Sequence, residues 1–347
     1  MSQISRLLLC ALAVGIVAAA ALLLVAPAAG PTHPILGIGD DKPDMFTDPR
    51  FLALGIKNVR LDMSWDALSV GYQRAEVTNW MKEAKADGLS VLVTIDHSER
   101  VITERVHGKN EKVSQTRVLP TVAQYRNAFK AFRKLFPGVT QFASWDETNY
   151  YGEATYDKEA LVVGYYHAMQ QVCPNCTILA AEFLDVPKSE GVPMATWAQT
   201  FIKLAGGQPQ YWGLNNYEDA NHLVSTSTRQ LLAAVKGNIW LAETGGIVNR
   251  PGVKDPGFPQ NAAHAANVDN YLLDTIGSLS QRIQRIYLYE WDAKTPHDGW
   301  DTALISYTGV PREGYDVLAE TLESWGIQPN CKISRVPPTC PRLPATP

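Results

Sequence analysis

Two glutamates stand at the ends of hydrophobic runs. Phe142-Ala143-Ser144-Trp145-Asp146 leads to Glu147, and Ile239-Trp240-Leu241-Ala242 leads to Glu243. Two carboxyl groups facing across one sugar–oxygen bond are what glycoside cleavage needs. One must be protonated to donate to the leaving oxygen. The other must be ionised to attack, or to stabilise the cationic transition state. Mutual repulsion raises the pKa of the acid and keeps its proton available near neutral pH. Taken singly, a glutamate at a strand end is ordinarily a solvated charge or an ion-pair partner. The functional reading therefore depends on where the two runs fall in the chain.

The elements that would position them alternate. Short apolar, β-rich runs occupy 35–39, 58–63, 90–95, 140–145, 177–182, 211–217, 238–243 and 285–291. Stretches of helical period lie between them. Val77, Trp80, Met81 and Ala84 follow the spacing of a core-facing helix, as do Tyr125, Ala128, Phe129, Phe132 and Phe136. The second of these opens with Thr121 and has Gln124 three residues later, a capping-box pattern. Further helices are expected at 157–172, 194–204, 226–235, 261–280 and 315–325, with a short one at 49–54. Strand–helix alternation implies parallel strands with helical crossovers. Eight such units predict an α/β fold of the closed (β/α)₈, or TIM, barrel type. An open doubly wound sheet would show a glycine-rich phosphate loop after its first strand. Gly37-Ile38-Gly39-Asp40-Asp41 lacks the later glycines.

In such a barrel the chemistry comes from the C-terminal strand ends and the loops after them. Those positions carry Asp40 and Asp41, then Arg60, Asp62 and Trp65, then Asp96 and His97. Strand four adds Trp145, Asp146, Glu147 and Asn149, and strand five adds Glu182. Strand six supplies Asn215, Asn216 and Tyr217, strand seven Glu243, and strand eight Glu290, Trp291 and Asp292. Glu147 and Glu243 thus end the fourth and seventh strands. The mixed-charge stretch 99–117 is read as a solvated loop.

Trp145-Asp146-Glu147-Thr148-Asn149 resembles the Trp-Asn-Glu-Pro-Asn motif of clan A glycoside hydrolases, whose glutamates lie on strands four and seven. Asn58-Val59-Arg60-Leu61 with Trp65 is similar to the strand-two segment whose arginine contacts the nucleophile. Tyr217 falls where a strand-six aromatic or histidine holds the nucleophile. Glu243-Thr244-Gly245-Gly246 looks like the nucleophile segment, and Trp291 falls where a tryptophan floors the sugar site. Residues 301–315, with Leu304-Ile305, Gly309, Pro311-Arg312 and Tyr315, resemble the closing segment of family 39-like barrels.

The resemblance spans roughly residues 35–325. It implies a retaining hydrolase, or transglycosylase, of a β-linked polysaccharide or cell-envelope glycan, with Glu147 as acid/base and Glu243 as nucleophile. Arg60, Trp65, His97, Asp146, Asn149, Glu182, Asn216, Tyr217 and Trp291 are the expected substrate-site residues. His97 and Glu182 have equally plain structural readings. No metal or organic cofactor is implied. Two positions depart from the motif: Asp146 replaces asparagine and Thr148 replaces proline. An ionised aspartate accepts hydrogen bonds but cannot donate them, and Asp146 would crowd both glutamates. It is the feature that favours a barrel that binds glycan without cleaving it.

The rest of the chain sets boundaries. At 347 residues there is room for one barrel of about 250 residues plus a leader and a tail. The formal net charge of −4 and the lack of a clustered basic face exclude a nucleic-acid footprint. Arg6 precedes an apolar run from Leu7 to Ala26, followed by Pro27, Ala28, Ala29, Gly30 and Pro31. Residues 1–30 read as a secretory signal or as an uncleaved membrane anchor through 7–26. Either places the 31–326 catalytic domain outside the cytoplasm. The anchor reading leaves an envelope-anchored structural protein as a further alternative. Cys10 lies in the apolar run. The other four cysteines pair most simply as Cys173 with Cys176 and Cys331 with Cys340. The second pair would staple the proline-rich tail, 327–347. A monomer is expected.

Overall fold

The computed structural model describes residues 33–106, 109–253 and 256–327. The leader and the Cys331–Cys340 loop lie outside these residues. Strands β1 (Ile35–Gly39), β2 (Asn58–Ser64) and β3 (Ser90–Asp96) open the sheet. A hairpin, β4 (Val101–Val106) and β5 (Lys109–Ser114), follows. The sheet resumes with β6 (Gln141–Ala143), β7 (Thr177–Leu179), β8 (Glu182–Leu184), β9 (Tyr211–Asn215), β10 (Asn238–Thr244) and β11 (Ile283–Tyr289). The pairing order is β7-β6-β3-β2-β1-β11-β10-β9-β8, parallel throughout.

The two ends of that order are halves of one strand. β7 pairs with β6 and β8 pairs with β9, with only Ala180 and Ala181 between them. Ala180 N donates to Tyr211 O (2.9 Å) and Glu182 N to Trp145 O (3.1 Å). The fifth strand therefore closes an eight-stranded (β/α)₈ barrel.

Side chains alternate inward with period two. Near the floor, Arg285 Nη1 donates to Asn58 Oδ1, Gln141 Oε1 and Tyr287 OH at 2.9–3.1 Å, and its guanidinium lies 4.1 Å from the Trp240 ring centroid. Above it Leu92, Ala143, Leu179, Trp240, Ala242 and Tyr287 form an apolar cluster. Gly213 matters to the next layer. A Cβ there would sit 2.2 Å from Glu182 Cγ, so only glycine lets the Glu182 side chain lie inward.

The helices pack outside. In α2 (Gly71–Ala86) the buried face includes Val77, Trp80, Met81 and Ala84. In α3 (Val122–Leu135), Thr121 accepts from Gln124 N and the Gln124 side chain accepts from Thr121 N, completing the capping box. The expected helix at 261–280 is shorter: α-helical hydrogen bonding ends at Tyr271 and a π turn covers Leu272–Ile276. The stretch expected to be a solvated loop is instead the hairpin β4–β5. It is solvated on both faces, so no apolar alternation announces it.

Cys173 and Cys176 are disulfide-bonded, with Cα atoms 5.4 Å apart, between the helix Glu159–Val172 and β7. Alkylation of the unreduced protein should leave both unmodified by mass spectrometry. Closing so short a loop constrains the unfolded chain little, so Cys173→Ser with Cys176→Ser should lower stability by no more than about 2 kcal/mol. Free thiols at both positions would instead favour redox or metal-binding chemistry for the pair.

Candidate active site

Glu147 lies just past β6 with φ of 38°, in the left-handed region that side-chain-bearing residues seldom adopt. Its neighbours hold it there. Thr148 donates to Glu182 O through both N (2.9 Å) and Oγ1 (3.0 Å). The first of these bonds is closed to proline, the residue the motif would place there. Asn149 brackets the next loop: Nδ2 donates to Leu184 O (2.9 Å) and Val192 O (3.0 Å), and Oδ1 accepts from Leu184 N (2.9 Å).

Glu243 is aimed by a bulge. β10 pairs Leu241 with Leu214 and Glu243 with Asn215, leaving Ala242 as the extra residue. Glu243 Oε2 accepts from Arg60 Nη1 (2.5 Å), and Oε1 accepts from Tyr217 OH (3.0 Å).

Arg60 is 1% exposed and joins the site together. Its Nε donates to Thr94 Oγ1 (2.9 Å), and its Nη2 to Asp146 Oδ1 (3.1 Å) and Glu182 Oε2 (3.0 Å). Thr94 Oγ1 donates to Glu182 Oε1 (2.9 Å). Asn215 Nδ2 donates to Asp146 Oδ1 (3.1 Å) and approaches Glu147 Oε1 (3.5 Å). One buried cation thus holds three carboxylates, and Glu147 is not among them.

That asymmetry sets the protonation states. Burial, then the charges of Asp146 and Glu243, push Glu147 well above the usual carboxylate range. Burial also raises Glu243, to about 7, while Arg60 and the Tyr217 hydrogen bond oppose the rise. Burial raises Glu182 against the pull of Arg60. His97 Nδ1 lies 3.0 Å from Asp96 Oδ2 and 3.2 Å from Glu153 Oε1, and those hydrogen bonds raise it to about 11.

These groups open onto a cavity of about 410 Å³. Glu147 and Glu243 line it with Asp41, Asp62, Asp96, His97, Asp146, Glu153, Tyr217, Arg250, Tyr289 and Trp300. The Tyr217 and Trp300 rings meet edge-to-face at 4.9 Å, and the Arg250 guanidinium lies 5.0 Å from the Trp300 centroid. Arg312 grips Asp301 at 2.6 and 2.7 Å, which anchors the loop bearing Trp300.

Among the expected substrate-site residues, Asp146, His97 and Tyr217 line this cavity, and Arg60 lies beneath Asp146 and Glu243. Glu182 is fully buried under Arg60 rather than facing the opening. Asn149 and Asn216 are buried, and the Asn216 amide donates to Thr228 Oγ1 (3.4 Å). Trp65 packs on the core outside the cavity. Trp291 is misplaced by the sequence pattern. It is 1% exposed, with its ring against Phe51 (5.5 Å) and Tyr315 (6.0 Å) and its Nε1 donating to Asp48 (3.2 Å). β11 ends at Tyr289, so the chain has already left the barrel at Trp291, and Tyr289 is the strand-eight aromatic that lines the cavity. Trp145, expected at the rim, is fully buried against Tyr165. Tyr150, Glu153, Arg250, Tyr289, Glu190 and Glu218 were missed. The first three come from loops, where no periodicity marks an inward residue.

Two acidic groups bring potential ligand atoms within 4.8 Å of one another: Asp96, His97 and Glu153, and Asp62, Asp96 and Asp146. In the first, the ring nitrogen a metal would use is held between two carboxylates, which favours a proton instead.

No protein-family model matches the sequence, and neither does any curated protein. Solved structures do match in fold. A family 39 glycoside hydrolase from the gut symbiont Bacteroides cellulosilyticus superposes with a TM-score of 0.50 at 14% identity, over 84% of this chain. This chain spans 64% of that one's length. An endo-1,4-beta-xylanase from Penicillium canescens gives 0.58 at 14% identity, covering 85% of this chain and 95% of its own. A monomeric beta-xylosidase from Caulobacter crescentus gives 0.56 at 14% identity, covering 84% and 68%. The fold is that of the (β/α)₈ glycosidases.

The effect of Asp146 is open to measurement. Its charge raises both Glu147 and Glu243. An acid must be protonated, so activity is lost as pH rises through its pKa. A nucleophile must be ionised, so activity is lost as pH falls through its pKa. If Glu147 acts as the acid and Glu243 as the nucleophile, Asp146→Asn should therefore move both limbs of the kcat/KM profile to lower pH. Limbs that stay in place would mean that the Asp146 charge does not reach the reacting groups.

Proposed function

We propose that the protein is a retaining glycoside hydrolase of a β-linked polysaccharide or cell-envelope glycan, acting outside the cytoplasm. The observation that carries this reading is the unequal treatment of two carboxyls in one cavity. Glu243 is held by a guanidinium and a phenol, the environment of an ionised nucleophile. Glu147 is pressed against Asp146 without the cation, the environment of a proton donor.

Glu147 protonates the glycosidic oxygen as Glu243 attacks the anomeric carbon, and the bond to the leaving sugar breaks. Glu147, now ionised, takes a proton from water, which attacks the glycosyl ester and releases Glu243. Two inversions give net retention. Trp300 and Tyr289 offer flat faces for sugar rings. The disulfide and the apolar leader support an exported protein. Among the described residues no helix is long and apolar enough to cross a membrane.

The test is a panel of polysaccharides assayed by reducing ends, with proton NMR of the first-formed anomer. Glu147→Ala should lose most activity on natural leaving groups. It should recover in part with azide or with activated aryl glycosides, which do not need the proton. Inverted product, or wild-type rates in that variant, would reject the assignment. A barrel that binds glycan without cleaving it is favoured by Asp146, whose charge sits beside both glutamates. It predicts saturable binding with no turnover on any glycan.

A further inference from the structure

Resting on the glycosidase reading, we propose that the substrate is an amino-sugar glycan with free, protonated amines, and that Asp62, Asp96 and Asp146 receive the ammonium. Nine carboxyl side chains line the cavity, against two cationic ones, His97 and Arg250. The charge of His97 is already engaged by Asp96 and Glu153. Burial raises Asp41, Asp62, Asp96, Glu147, Glu218 and Glu243, so the lining is a crowd of carboxyls whose ionisation a bound cation would favour.

The unmet hydrogen bonds have one polarity. Asp62 Oδ1, Asp96 Oδ1 and Glu153 Oε2 are buried oxygens without a partner, and each belongs to the cavity lining. Asn215 is fully buried, its Nδ2 donating to Asp146 and its Oδ1 unpartnered. All four are acceptors. A sugar hydroxyl brings one donor, whereas an ammonium brings three and a positive charge. Buried acceptors beside like charges are costly unless a donor arrives.

The oxygens also converge. Carboxylate oxygens of Asp62, Asp96 and Asp146 lie within 4.8 Å of one another, so one compact head group can reach all three. Asp146 adjoins Glu147, which places the ammonium on a sugar next to the bond being cut. Asp62 is pushed above its usual range by burial beside Asp96 and Asp146, a condition that a bound cation relieves. A divalent metal could use the same oxygens. However, Arg60 Nη2 already lies 3.1 Å from Asp146 Oδ1 and 3.8 Å from Asp62 Oδ2, which leaves those carboxylates poorly placed for the short oxygen bonds a dication requires.

The experiment compares β-linked glucosamine and galactosamine oligomers with their N-acetylated forms and with xylo- and cello-oligosaccharides. The wild-type protein reports turnover, and Glu243→Gln reports binding by calorimetry. Free amines should raise kcat/KM at least about tenfold over the acetylated forms at low salt, a ratio that shrinks as salt rises. Asp62→Asn and, independently, Asp96→Asn should lower that ratio. Saturable binding of free-amine oligomers without turnover would support the ligand while sinking the hydrolase reading. Retention on neutral or acetylated glycans with no gain from the amine would overturn the inference alone. Absence of both binding and turnover would overturn both. Calcium or magnesium binding lost in Asp62→Asn, or turnover lost to chelator, would assign the oxygens to a metal and end the proposal.

Discussion

Glu243→Gln is expected to lower kcat on the true substrate by on the order of 10⁴-fold or more while leaving the fold intact. On the proposed mechanism, the magnitude follows from removing the group that would form the covalent bond. Groups of that kind act as a unit with the acid, and what survives is residual binding and orientation. Preservation of the fold follows from the local geometry. Glutamine keeps one oxygen, which can accept from Arg60 in place of Oε2 (2.5 Å), and turns its amide nitrogen toward Tyr217, whose hydroxyl oxygen (3.0 Å from Oε1) can accept in place of donating. Arg60 stays paired with Asp146 and Glu182 after the Glu243 charge is gone. The substitution also relieves crowding, since the Glu243 charge raises Glu147. Thermal unfolding should therefore show a Tm equal to or above that of the wild type. A variant with near-normal kcat would exclude Glu243 as nucleophile. A variant that fails to fold would mean that its charge is structural.

Much of this site was legible before any coordinates, and the reason is the barrel. Strand–helix alternation implies closure, and closure puts all eight strand ends on one rim. The type and order of Arg60, Asp146, Glu147, Tyr217 and Glu243 were then enough to expect them together. The structure brings Arg60, Asp146 and Glu243 into one hydrogen-bonded group with Tyr217. The misplacements have physical causes. Trp291 shares its parity with Tyr289, but parity has no meaning once a strand ends, and strand ends are the boundary that sequence patterns fix least well. Glu182 reads as a rim residue until the glycine opposite it is considered. Gly213 belongs to the neighbouring strand, so the space it frees is invisible along the chain. The Glu243 bulge is hidden for the same reason, because register is a property of two strands. Glu153 and Arg250 reach the cavity from long loops, whose paths are set by tertiary contacts.

Arg60→Met should be the most destabilising of the single substitutions considered for the site, by about 3–5 kcal/mol near neutral pH. Methionine fills much of the same volume, so the loss is one of charge rather than of packing. Arg60 is the one cation within 4 Å of Asp62, Asp146, Glu182 and Glu243 among the described residues, at 3.8, 3.1, 3.0 and 2.5 Å. Without it these carboxyls must either stay ionised next to one another or take up protons. The pH dependence separates this from a packing defect. The folded pKa values of Glu182 and Glu243 already lie above their unfolded values, with Glu243 at about 7. A raised carboxyl contributes stability that is fully present below its unfolded pKa and is lost as pH rises through its folded pKa. Arg60 works against that loss, because its charge lowers both groups. Removing it should therefore cost least below about pH 4, where Glu182 and Glu243 are largely protonated in both states, and most above pH 7. Urea unfolding of wild type and variant across that range would measure the difference. A deficit that stays constant with pH would make Arg60 a packing element, and a deficit that grows on acidification would reverse the electrostatic account of the site.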